Sequence, residues 1–130
     1  MLVVDSAVVV TACLSSVGLK LYANEELVAP ALMWSEATSV LHELRWRRQI
    51  TDELAIDAVA RLRDAPIATR THKRLHEEAW RIADRLGWAK TYDAEYVALA
   101  QLLRCRLLTI DAGLKRRATT LVKVVGPTEL

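Results

Sequence analysis

The stretch Thr91 to Asp111, TYDAEYVALAQLLRCRLLTID, carries an acidic residue at each end of what reads as a helix followed by a strand. A helix from Asp93 to about Arg104 covers ~16 Å, and a strand from Arg106 to Asp111 returns ~16 Å, so Asp93 and Asp111 come back to the same edge. No basic residue follows Asp93 at helical pairing distance, and Asp111 has only Lys115 four places on. Surface ion pairing is therefore a poor account of the two acids. Two further acids stand in informative places. Asp5 ends the apolar run Leu2 to Val4. Glu36 falls inside a helix expected from about Ala31 to Arg48, with Leu32 and Met33 four and three residues before it and Val40 four after. That spacing sets its carboxylate beside an apolar stripe, where an acid needs a partner or a metal.

In a parallel sheet, acids that directly follow strands share one rim, and Asp93 arrives there at the head of its helix. Taken singly, Asp5, Asp93 and Asp111 can each also be read as helix caps. Capping does not explain Glu36. Carboxylates gathered in one cleft repel one another by ~3 kcal/mol per pair at ~5 Å with an effective dielectric near 20. A divalent cation removes that penalty, and an all-oxygen donor set suits Mg²⁺ or Mn²⁺ rather than Zn²⁺. One or two such ions can activate a water and stabilise a phosphodiester under in-line attack. The chemistry implied is hydrolysis of a nucleic-acid backbone. His72 and His76 have the i, i+4 spacing of a metal pair but no evident third ligand, and His42 has no identifiable partner. With no His or Lys base in the pocket, metal-activated water is favoured.

The elements that must position these acids follow from the rest of the chain. It has 130 residues, 52% of them hydrophobic, enough for one compact domain with a core of its own. The formal charge of +2 leaves any basic surface to local clustering. Cys13 and Cys105 sit in apolar contexts without a CxxC pair and read as reduced core thiols. No basic leader or membrane-length apolar run is present, so the expectation is a soluble, cytoplasmic protein with no membrane partner. Leu2 to Val4, Leu27 to Ala29, Ile67 to Thr69, Arg106 to Asp111 and Leu121 to Val125 are strand candidates. Between them, helices are expected after Asp5, from about Ala31, from Thr51 to about Asp64 (buried through Leu54, Ala55, Ala58, Val59 and Leu62), from a Thr71 cap to Gly87, from Asp93, and after Asp111. In the helix of Glu36, Met33, Ala37, Val40, Leu41 and Leu44 form the inner face. Repeated strand and helix imply an α/β fold, a mostly parallel sheet with helices on both faces and ligands beyond the strands' carboxyl ends.

VVDSA at the start, the acid in APALMWSEATSVL, TYDAEYVALAQLL and LLTIDAGLKRRA together resemble the PIN-domain ribonucleases, in particular the VapC toxins of bacterial toxin-antitoxin pairs. The likeness spans almost the whole chain, and its third block is the most specific. It implies a single PIN domain over residues 1–130 with a three-layer α/β/α sandwich. It also implies a homodimer, an RNA substrate, Mg²⁺ or Mn²⁺ as cofactor, and a small cognate antitoxin that blocks the site. By this resemblance Asp5, Glu36, Asp93 and Asp111 are the metal-binding, catalytic acids. Ser6 and Thr109 match nearby polar positions that orient the metal, its water or a carboxylate. Ser39 stands where many relatives carry Asn, which bears on the detail of the metal shell.

Lys115, Arg116 and Arg117 directly follow Asp111 and are candidates to hold RNA phosphates, against the alternative of a solvated helix face. Arg45, Arg47 and Arg48 are weaker candidates. The four tryptophans could stack on bases, though core, dimer or antitoxin contact is the simpler expectation. Two rivals differ in class. A catalytically silent PIN-like module would bind RNA or protein without cutting. A receiver-type phosphoacceptor would show paired acids after its first strand and a late Lys-Pro, neither of which occurs here.

Overall fold

The computed structural model describes residues 1–130. Five short strands, β1 (Leu2–Val4), β2 (Leu27–Ala29), β3 (Ile67–Thr69), β4 (Arg106–Leu108) and β5 (Val124–Val125), build one sheet in the order β3-β2-β1-β4-β5. Every pairing is parallel, with Val3 level with Val28 on one side and Leu107 on the other. Both faces of the central strands are covered, which is why β1 and β2 are unbroken apolar runs rather than alternating ones.

The helices are α1 (Ser6–Cys13), α2 (Leu32–Trp46), α3 (Asp52–Arg63), α4 (Leu75–Leu86), α5 (Tyr92–Leu103) and α6 (Ala112–Ala118). With right-handed crossovers, this strand order places α1 to α3 on one face of the sheet and α4 to α6 on the other. The packing agrees: α1, α2 and α3 touch one another, α4 lies along α5, α5 rests on β1 and β4, and α6 meets β5. The result is the three-layer α/β/α sandwich. Between β1 and β4 the strand order reverses direction, and the crevice beyond their carboxyl ends is where such sheets hold ligands.

α5 is the helix most enclosed by this arrangement. Ala94 and every residue from Tyr96 to Ala100 are buried, because the sheet and α4 leave it little solvent face. α4 on the outside keeps one buried stripe of Leu75, Ala79, Ile82 and Ala83. Tyr96, Met33, Leu41, Leu99 and Leu107 are among the largest fully enclosed side chains.

Several boundaries differ from the sequence expectation, each for a local reason. β4 stops at Leu108 instead of reaching Asp111, since the chain peels away at the exposed Ile110 and frees Asp111 to cap α6. Leu121 and Val122 close a turn onto the Ala118 carbonyl, so β5 is shorter than Leu121 to Val125. Thr71 does not cap α4. Arg74 takes that place, its backbone N–H donating to Nδ1 of His72 at 3.0 Å, so His72 lies outside the helix and the His72/His76 register does not exist. Val40 and Val59, expected on inner faces, are exposed at 40% and 51%. Other signals hold as read. Thr51 Oγ1 accepts from the Leu54 N–H at 3.1 Å, and Gly87 ends α4 at φ 73°, a left-handed conformation that favours glycine. No helix is long and apolar enough to cross a membrane.

Candidate metal centre

Asp5 sits at the junction of β1 and α1 and is 4% exposed. One carboxylate oxygen accepts from the Val8 N–H at 3.0 Å, and the other accepts from the Thr109 hydroxyl. Thr109 is itself buried, and its Oγ1 accepts from the Asp111 N–H at 3.0 Å. The side chain expected to orient a carboxylate thus ties the end of β4 to the end of β1. Asp111 caps α6, its Oδ1 accepting from Gly113 and Leu114 N–H at 2.8 and 3.1 Å, while its second oxygen makes no hydrogen bond. A side chain at residue 113 would bring its Cβ within 3.2 Å of that Oδ1, so glycine leaves the cap its space.

Glu36 comes from the opposite helical layer. Its Oε1 accepts from the hydroxyl of Tyr96 on α5 at 2.5 Å, so this pair closes the rim across the sheet. Glu36 is half-buried and Tyr96 completely so. The expected need for a partner is met by a phenol. Sequence reasoning did not assign Tyr96 this role, although its position three residues after Asp93 puts both on one face of α5.

Asp93 is exposed at the rim, in the first turn of α5, and makes no hydrogen bond or ion pair. Its helix begins at Tyr92 with Thr91 in the cap position, so the capping account that holds for Asp5 and Asp111 fails for Asp93. Electrostatics shows that the four acids share one field. Burial pushes the Asp5 carboxyl up to about 6, with the Asp93 and Asp111 charges adding to it and the bonds from Thr109 and Val8 opposing it. Partial burial raises Asp93 as well, followed by the charges of Glu36 and Asp111. The Tyr96 phenol is held far above its usual range by burial and then by Glu36, with the Ser6 hydroxyl acting the other way. Ser6 is thereby placed beside Tyr96 at the start of α1. Glu95, half-buried and 3.7 Å from His76, also feels the Glu36 charge and was not anticipated from sequence.

The donors are all oxygen, which fits a hard divalent ion. No three of them converge on one point as a finished cage. Mg²⁺ asks for no such cage: it is commonly held by one or two carboxylates, with waters and substrate phosphate completing the shell.

The basic residues divide. Lys115 is ion-paired with Glu129, whose Oε1 also accepts from the Gly126 N–H. Arg116 is exposed. Arg117 donates from Nη1 to the Leu86 carbonyl at 2.9 Å and lines a groove of about 760 Å³ that has Glu36 and Asp93 in its wall. Arg47 pairs with Glu43 at 2.8 Å. His42 stacks on Trp46, with centroids 6.3 Å apart and planes at 17°. Trp34 and Trp88 pack against the core, whereas Trp46 and Trp80 are exposed. A separate hollow of about 420 Å³, lined by Cys13, Leu19, Ala60 and Pro66, contains none of the four acids.

A five-stranded parallel α/β/α sandwich with acids gathered at its switch point is the class defined so far, and comparison with known proteins agrees. The PIN domain family model matches residues 2–119, and the chain belongs to the PIN-domain family. Within that family it is similar to ribonuclease VapC9 of Mycobacterium tuberculosis, at 34% identity over 115 residues that cover 88% of each chain. Two solved structures share the fold. PAE2754 of Pyrobaculum aerophilum superimposes with a TM-score of 0.73 at 22% identity, covering 98% of this chain and 90% of that one. FitAcB of Neisseria gonorrhoeae does so with a TM-score of 0.66 at 17% identity over the full length of both.

Proposed function

We propose that this protein is the toxin of a toxin-antitoxin pair, a metal-dependent endoribonuclease whose Asp5, Glu36, Asp93 and Asp111 hold Mg²⁺ or Mn²⁺ and hydrolyse RNA phosphodiester bonds. The observation that carries the reading is the gathering of carboxylates from β1, α2, α5 and the end of β4 at one rim, where burial first and the neighbouring acids after it raise Asp5 and Asp93. A divalent ion bound there would polarise a phosphoryl oxygen and lower the pKa of a water. The chain's own groups do the rest. Asp5, clamped by Val8 and Thr109, presents its remaining lone pairs in a fixed direction. Glu36 is aimed by Tyr96. Asp93 and the second oxygen of Asp111 have no protein hydrogen-bond donor to satisfy them and are open to ligand. Without a counter-charge this rim would repel an RNA phosphate. The four acids therefore set both the requirement for a cation and its place.

In-line attack by water would leave a 5′-phosphate and a 3′-hydroxyl. The whole chain acts as one catalytic domain, in the cytoplasm. Kinship with VapC ribonucleases also supports a small antitoxin that covers the rim. A homodimer fits the exposed apolar side chains Trp46, Ile56 and Val59 of the α2–α3 layer, and light scattering would read it directly. The decisive test is cleavage of RNA by protein purified free of contaminating nuclease. Cleavage should require Mg²⁺ or Mn²⁺ and stop in EDTA. A protein that bound neither ion at millimolar concentration and cut nothing would instead be a silent PIN-like binding module.

A further inference from the structure

The groove of about 760 Å³ beside the acids is walled by Glu36 and Asp93, by the linker between α4 and α5, and by Arg117 of α6. We infer that it seats the nucleotide adjoining the scissile phosphate, with Tyr92 stacking on that nucleotide's base and Arg117 and Lys90 holding its phosphate. The inference rests on the ribonuclease reading for its location and on the groove's own chemistry for its content.

Tyr92 is 52% exposed, makes no hydrogen bond, and lines the groove immediately before Asp93. An exposed aromatic ring beside a phosphate-directed site offers a stacking platform that any unpaired base can use. Arg117 is held by one nitrogen on the Leu86 carbonyl, so its guanidinium is oriented while the remaining N–H groups are free. A planar fork with free donors suits phosphate. Several cations elsewhere are spent on acids, Lys115 on Glu129, Arg63 on Asp64, and Arg74 and Arg81 on Glu77 and Glu78, and what sets Arg117 and Lys90 apart from the other unpaired cations is their place in this groove. Arg117 and Lys90 have no acidic partner, and they face the groove that Glu36 and Asp93 enter. A polyanion approaching the acids along this path meets two positive groups first, which offsets the repulsion of the rim. Stacking on Tyr92 requires a base out of a duplex, so the groove should take single-stranded or looped RNA in preference to helical RNA.

The test is fluorescence anisotropy with a fluorescein-labelled single-stranded RNA pool of mixed sequence, in CaCl₂ to neutralise the rim, run beside cleavage assays of the same proteins in MgCl₂ and MnCl₂. Tyr92→Ala should bind about 10-fold more weakly or worse, and Tyr92→Phe like wild type. Arg117→Gln loses the charge and, being shorter, also releases the Leu86 carbonyl, so the salt dependence is the readout that separates the two. This variant should bind several-fold more weakly and flatten the slope of log Kd against log salt by about 0.7, a change that a merely structural role would not produce. Duplex RNA should compete poorly. Wild-type affinity in both Tyr92→Ala and Arg117→Gln, or no binding by wild type, would overturn the assignment of the groove. Cleavage absent from wild type while the binding pattern holds would overturn hydrolysis and leave the groove standing as an RNA site.

Discussion

α4 and the acidic rim treat charge in opposite ways. In the first turns of α4, Glu77 and Glu78 each find a base: Arg74 at the cap meets Glu78, and Arg81 meets both Glu77 and Glu78, each at 2.7 Å. At the rim four acids gather with no ion pair among them, three meeting only hydroxyls or backbone N–H groups and Asp93 meeting no donor. The α4 pairs form from local i, i+3 and i, i+4 spacing and add little to stability. The rim charges are brought together by the sheet, at a cost that the rest of the fold carries. The α4 charge is neutralised in place, whereas the rim charge is not, as the proposed metal site requires.

The sharpest way to break this contrast is to remove one rim charge without changing shape. Asp5→Asn and Asp93→Asn should each lower RNA hydrolysis in Mg²⁺ by about 100-fold or more. In metal-free buffer near pH 8, Asp5→Asn should at the same time raise thermal stability, because it deletes a buried charge. An active Asp5→Asn protein, or one whose melting temperature falls steeply, would show that the rim is ordinary scaffold.

The same imbalance predicts a pH dependence of folding. The Asp5 carboxyl lies at 3.8 in an open chain and about 6 in the metal-free fold, so the folded state holds its proton more tightly than the unfolded state. Its contribution to stability is therefore greatest below about pH 4, declines as pH rises from 4 to 6, and stays low above that, a change on the order of 3 kcal/mol. Urea midpoints in EDTA should fall across this window in wild type relative to Asp5→Asn. Saturating Mg²⁺ should reduce the fall by stabilising the ionised form. Equal pH profiles for the two proteins would place the Asp5 charge in water.

Smaller effects sharpen the comparison. Tyr96→Phe removes the hydroxyl that aims Glu36 and should slow hydrolysis several-fold, while costing about 1 kcal/mol of stability. Parallel loss in a Glu36→Gln protein, with no further loss in the double variant, would show that the two act as one unit. Arg81→Ala should cost roughly 0.5 kcal/mol or less, vanish at high salt and leave cleavage unchanged.

The elements of the fold were readable because each is written locally. Short β-branched runs mark the buried strands, Thr51 and Gly87 punctuate helices, and Asp5 and Asp111 each follow a strand and cap a helix. Those signals, with Asp93 at the head of its helix and the parallel order implied by alternating strand and helix, place three acids at one edge of the sheet. The partners of those acids were left to the fold. Thr109 reaches Asp5 across 104 positions and Tyr96 reaches Glu36 across 60, contacts that exist because β4 lies beside β1 and two helical layers meet over their ends. Lys115 and Arg117 are two residues apart on the same short helix, yet one is absorbed by Glu129 from the C-terminal turn and the other lines the groove. Helical spacing alone could not separate them. A side chain's periodicity states which way it leaves its own helix, and only the packing of distant elements determines what it meets there.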